Sequence, residues 1–211
     1  MANQQFDAAP TLPVEERYSQ DRWRKFLDGQ ISGAEFHEVS PAQMLKMAIL
    51  GFQQYEQGRY PEAQAVFERL LRLNPKEPYY HIALGAVFLA QDELPKAELG
   101  FNRAISLGTK EVAAYVNRGE VLLRRGKIIL AAKDFKMAVS LDPTGKDPLT
   151  TRARLLAKAT LEMLKKAQAA KQAEGKAAPA KGGKPAAKPG VAAASAAKPP
   201  AKAAAAPAKK K

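Results

Sequence analysis

Two histidines, His37 and His81, are the only side chains of the 211-residue chain that ordinarily exchange protons near neutrality, and neither has a catalytic or metal-binding partner at motif spacing. Each is therefore read as a packed or half-exposed ring. The chain has no cysteine, which excludes a disulfide framework, Cys-ligated zinc and thiol catalysis. The nearest approach to a phosphate loop, Thr144-Gly145-Lys146-Asp147, lacks the upstream glycine and the hydroxyl after the lysine. The acids Glu62, Glu98 and Asp134 fall on outward helix faces and read as solvated. The expectation is a protein with no enzymatic activity, no catalytic residues, no cofactor and no metal.

Charge offers a second kind of chemistry. The chain carries 34 Lys+Arg against 21 Asp+Glu, a formal +13, but the last acid is Glu174. Residues 175–211 hold nine lysines and no acid, so residues 1–174 carry 34 − 9 = 25 bases against 21 acids, only +4. The tail is otherwise 16 Ala, six Pro, four Gly, one Val and one Ser, which leaves almost nothing to bury against the entropy of ordering it. It is expected to be disordered. Its lysines suit salt-sensitive contact with nucleic acid or an acidic partner, without the aromatic or Arg side chains that read bases. Met1 to Asp7 shows neither a basic start nor an apolar run, and no window approaches the roughly 18 apolar residues of a membrane span. A soluble cytoplasmic protein with no membrane partner is the expectation.

What must position any site is a repeat. Gly51, Gly85 and Gly119 are 34 residues apart, and so are Ala63, Ala97 and Ala131, and Phe67, Phe101 and Phe135. Pro75 and Pro143 are two such periods apart, with Thr109 between. In the first copy Met47, Leu50, Gly51 and Tyr55 follow a helical period, Gln57-Gly58-Arg59 turns the chain, and Ala63, Val66, Phe67, Leu70 and Leu71 resume it. Glycine and alanine at fixed places let the two helices of a unit approach closely.

This pattern resembles the tetratricopeptide repeat, a 34-residue helix–turn–helix. Three copies cover 44–77, 78–111 and 112–145, and His81 takes a fourth position ordinarily filled by a bulky residue between helices. Ser40-Pro41-Ala42-Gln43 carries the capping pattern that starts a helix, and Asp147-Pro148 starts another. The expected fold is all-α: residues 1–12 flexible, an N-terminal helix and connector over 13–40, a three-repeat superhelix over 41–145, a capping helix over 146–173 and the tail over 174–211. A single helix from Thr11-Leu12-Pro13 to about Asp28 carries Tyr18, Trp23, Phe26 and Leu27.

The resemblance implies a curved solenoid whose inner wall takes the second, fifth, ninth and twelfth residue of each copy. Those are Leu45, Ala48, Phe52 and Tyr55, then Tyr79, Ile82, Ala86 and Leu89, then Ala113, Val116, Glu120 and Leu123, eleven of the twelve apolar or aromatic. Grooves that clasp a charged C-terminal tail use Lys, Arg and Asn, and here only Asn117 and Arg124 stand close by. An apolar groove suits a segment with spaced apolar anchors. Some of these residues can equally pack between helices.

A narrower resemblance lies in Phe26-Leu27-Asp28-Gly29, Tyr55-Glu56-Gln57-Gly58-Arg59-Tyr60-Pro61-Glu62-Ala63, Ala83-Leu84-Gly85-Ala86 and Gly119-Glu120-Val121-Leu122-Leu123-Arg124-Arg125-Gly126. Over about 20–165 the chain is similar to the class II chaperones of bacterial type III secretion, which keep hydrophobic translocator proteins soluble before export. The resemblance implies a translocator-like client in the groove and a homodimer through Tyr18, Trp23, Phe26 and Leu27, for which packing on the first repeat is the alternative. A general repeat scaffold whose tail reaches nucleic acid or an acidic partner is the other reading.

Overall fold

The computed structural model describes residues 12–176, with side chains as far as residue 170. The flexible segment expected over 1–12 and the tail expected from 174 lie outside these residues, apart from Leu12 and 174–176. Among the described residues there are ten helices and no strand.

Three antiparallel pairs form the body: α4 (Pro41–Glu56) with α5 (Tyr60–Leu73), α6 (Pro78–Ala90) with α7 (Leu94–Ser106), and α8 (Val112–Arg124) with α9 (Ile128–Leu141). The start of α4 is the expected one. Ser40 Oγ accepts from the Gln43 N–H at 3.2 Å, and Gln43 Oε1 accepts from the Ser40 N–H at 2.7 Å. The repeated glycines serve the phenylalanine rings. A Cβ on Gly51, Gly85 or Gly119 would lie 3.0, 2.8 or 2.5 Å from the ring of Phe67, Phe101 or Phe135 respectively, and all three rings are buried. Ala63, Ala97, Ala131, Ala104 and Ala138 are buried beside them.

The turn inside each pair needs a left-handed residue, and the same register position supplies it each time: Gly58 at φ 74°, Asp92 at φ 60° and Gly126 at φ 74°. Only the middle repeat uses a residue with a Cβ.

The capping helix is α10 (Pro148–Lys176), of 29 residues and about 43 Å at 1.5 Å per residue. Ala153 lies 34 residues after Gly119 and is fully buried, with Leu149 buried one turn earlier. In the repeat register α10 is thus the first helix of a fourth, half-completed unit, packed on α9 and α8. Asp142 braces the junction. Its carboxylate accepts from the N–H groups of Asp147 (2.9 Å) and Gly145 (3.0 Å) and from the hydroxyls of Thr144 (2.8 Å) and Thr150 (2.9 Å). These bonds, that of Asp147 foremost, hold its carboxyl well below the usual carboxylate range.

The N-terminal region departs from the single helix expected. It is broken into α1 (Val14–Arg17) and α2 (Gln20–Leu27), because the Ser19 hydroxyl accepts the Arg22 N–H and starts a new helix. A further short helix, α3 (Gly33–Phe36), lies in the connector and has its own capping box, Ser32 with Glu35. A Cβ on Gly33 would lie 2.5 Å from the carbonyl oxygen of Arg72, so α3 sits directly against the end of α5. Buried Phe36 gathers the N-terminal aromatics, with ring centroids at 4.6 Å to Trp23, 4.9 Å to Phe26 and 6.0 Å to Tyr18.

Two acids read as solvated are not. Asp134 is buried and takes a two-pronged pair from Arg118, Nε and Nη2 each at 2.7 Å, while Arg118 Nη1 reaches Asn102 Oδ1 at 2.8 Å. Glu98 is paired with Arg125 and, at 2.9 Å, with Lys127. The Glu98 site lies where the second unit meets the third, which supplies both of its cations, whereas Arg118 and Asp134 pair between the two helices of the third unit and Arg118 reaches back to Asn102 of the second. Glu62 is exposed as expected.

Candidate functional site

The inner wall is built from α4, α6 and α8, and its twelve sequence-selected residues divide by exposure. Leu45, Phe52, Tyr79 and Leu123 are half-buried and present surface. Ala48, Tyr55, Ile82, Ala86, Leu89, Ala113, Val116 and Glu120 are buried. Ala48, Tyr55 and Ala86 belong to the core around Phe67, whereas Ile82, Leu89, Ala113 and Val116 belong to the core around Phe101, Leu149 and Ala153. The wall therefore offers two aromatic rings and two leucines over a densely packed apolar floor.

The polar groups of this face are few and mostly engaged. Buried Glu120 is ion-paired with Arg152 of α10: Oε2 accepts from Nη2 at 2.8 Å, and Nε lies 2.7 Å from Oε1, which makes no hydrogen bond. Burial pushes the Glu120 carboxyl above its ordinary value, with Arg152 and then Arg124 pulling the other way. Arg124 also reaches Asp92 at 3.3 Å. Burial, with lesser contributions from Tyr60 and Glu120, pushes the Tyr55 hydroxyl up to about 12, and burial raises Tyr79 as well. Both tyrosines are neutral hydroxyls at physiological pH. The field of Glu120 and Arg152 reaches Tyr55 from two other helices.

Arg152 was not among the residues selected from the sequence. Its signal is the Gly119-to-Ala153 spacing, which places α10 in register with the wall helices. Asn117 is buried with its side-chain oxygen lacking a protein partner. His81 Nε2 lies 2.9 Å from the Pro75 carbonyl oxygen, and the His37 ring packs edge-on to Phe36 at 5.2 Å. Among the described residues no group of three or more His, Asp or Glu could hold a metal ion, and no helix is long and apolar enough to cross a membrane. Of the residues expected on the N-terminal dimer face, Trp23, Phe26 and Tyr18 turn toward Phe36, with Trp23 and Tyr18 still partly exposed, and Leu27 stands in solvent.

Residues 53–111 match a family model described as the tetratricopeptide repeat, and the helix pairs on either side follow the same 34-residue register. No curated protein matches the sequence significantly. Among solved structures, the repeats are similar to a T3SS complex from Aeromonas hydrophila, at 23% identity and a TM-score of 0.63, over 69% of this chain and 99% of that one. They are also similar to the type III secretion translocator chaperone SycD of Yersinia enterocolitica, at 26% identity and a TM-score of 0.57, over 61% of this chain and 97% of that one. SycD bound to a peptide of the translocator YopD matches at 26% identity and a TM-score of 0.56, over 61% of this chain and 98% of that one.

Proposed function

We propose that the protein is a non-enzymatic chaperone that holds an apolar segment of a secreted, translocator-like client on its concave wall and keeps it soluble in the cytoplasm before type III export. The observation that carries the reading is the wall itself: Leu45, Phe52, Tyr79 and Leu123 stand partly open above an apolar floor, and the arginine that enters this face from α10 is already paired with Glu120. Such a surface gains free energy by desolvating apolar side chains, at about 25 cal/mol per Å² removed from water, and gives a charged peptide terminus little to hold. The likeness to SycD with a translocator peptide supports the same reading. By the likeness to a structure of SycD described as an alternative dimer, at 27% identity, Tyr18, Trp23 and Leu27, each partly or largely exposed, are our candidates for a homodimer contact.

The test is co-expression with a translocator-type protein and recovery of a soluble complex. Substitutions belong at the open positions, because Tyr55 and Leu89 are packed and charging them would unfold the repeats. Phe52→Glu and Tyr79→Glu should each weaken the complex at least tenfold while the variant keeps its melting temperature within a few degrees. Undiminished binding by both variants refutes the groove reading.

A further inference from the structure

The outer layer, formed by α5, α7 and α9, changes character along the array. At four equivalent register positions the first repeat exposes Pro61, Glu62, Ala65 and Arg69. The second exposes Pro95, Lys96, Leu99 and Arg103, and the third exposes Ile129, Leu130, Lys133 and Met137. A solvated helix face has no need of large aliphatic groups, yet Leu99 is 70% exposed, Ile129 62% and Leu130 47%. Along α9 the offsets 129, 130, 133, 136 and 137 lie on one face, so Lys133 and Lys136 stand among the three apolar side chains with no acid between them. Glu98 joins α7 to the α8–α9 turn through Arg125 and Lys127, which brings Leu99 and Ile129 to the same part of this crest.

We propose that the α7–α9 crest is a docking surface for anionic lipid, on which Ile129, Leu130 and Met137 enter the interface while Lys133, Lys136 and Arg103 meet the head groups. Charge complementarity selects that occupant. The crest carries only bases at its exposed charged positions in the second and third repeats, and lysines beside aliphatic groups can lay their stems along the apolar surface while their charges stay at the head groups. The nine lysines and no acid of residues 175–211 add a second attraction to the same surface, and stable peripheral attachment takes two such signals together. The contact is peripheral and involves no span.

The experiment is flotation of the full chain with vesicles of phosphatidylcholine doped with phosphatidylglycerol, beside vesicles of phosphatidylcholine alone. The chain should float with the doped vesicles, lose that association as salt is raised, and remain behind with the neutral ones. Lys133→Glu/Lys136→Glu should reduce partitioning more than about tenfold, since each lysine near such a surface is worth about fivefold. Ile129→Ser/Leu130→Ser should reduce it comparably, with unchanged melting curves for both variants. The tail is intact in every protein, so equal partitioning of wild type and variants would assign the binding to the tail and overturn the proposal. Failure of the wild type to float with the doped vesicles at low salt would also overturn it, and is the result expected if the crest serves an acidic protein segment instead.

Discussion

Replacing Gly119 by alanine sets two effects of known size against each other. In a helix interior the exchange is ordinarily favourable by about 1 kcal/mol, because glycine loses more backbone freedom on folding. At Gly119 the new methyl would lie 2.5 Å from Cε1 of Phe135, a ring with no exposure and hence no direction in which to yield. Comfortable carbon–carbon contact is about 3.5–4.0 Å, so α8 and α9 must part by roughly 1 Å or the ring must leave its rotamer. Overpacking of that kind costs about 1–3 kcal/mol, and the net expectation is a loss of about 1–2 kcal/mol. The equivalent distances are 2.8 Å at Gly85 and 3.0 Å at Gly51, so Gly85→Ala should cost less and Gly51→Ala should be near neutral. Urea unfolding of the three variants measures the series, and Gly119→Ala/Phe135→Leu should show a favourable coupling of about 1 kcal/mol or more relative to the two single changes. A Gly119→Ala protein as stable as wild type, or a reversed order along the series, would refute the argument that ring-on-glycine packing sets the spacing of the helix pairs.

Two further outcomes are expected from the same structure. Asp92→Gly should raise stability by about 0.5–1 kcal/mol in the same assay, because it relieves a left-handed residue and loses only the pair that largely exposed Asp92 makes with Arg124. Arg152→Ala should destabilise by about 3 kcal/mol near neutral pH by leaving Glu120 buried without its ion-pair partner. The Glu120 carboxyl is already raised by burial, so the folded state binds the proton more tightly than the unfolded chain and this group favours folding below its unfolded value. Removing Arg152 raises that carboxyl further, so the deficit of the variant should shrink on acidification toward pH 5, as read by melting temperatures across pH; a deficit that grows on acidification would contradict the sign.

The repeat was legible because three copies of Gly51, Ala63 and Phe67 at one spacing fix the period by themselves. The capping boxes are local chemistry, so Ser40 with Gln43 was readable, and Ser32 with Glu35 and the break at Ser19 carried the same kind of signal in a region where aromatic periodicity favoured one unbroken helix. The pairings of Glu98 and Asp134 were not legible, because an outward position on one helix says nothing of the cation that another helix brings to it, from the next unit for Glu98 and from the partner helix of the same unit for Asp134. The exposure of the wall residues was not legible from their register. Phe52 and Glu120 occupy the same ninth position of their copies, yet Glu120 is covered and Phe52 is not, and Glu120 is the one that Arg152 of α10 meets.

In its register α10 is a first helix without a second. A linear array gains stability from each unit and from each junction between units, and α10 shares a junction on one side alone. Leu155, Leu161 and Met163 remain exposed on it, beyond the contacts that α9 and α8 provide. The array consequently behaves as a lattice with one bond missing at its end, and cooperativity declines toward α10 as it does toward the open terminus of a zipper. The Asp142 brace and the Arg152–Glu120 pair lie at the last complete junction, where the loss of a neighbour is felt first.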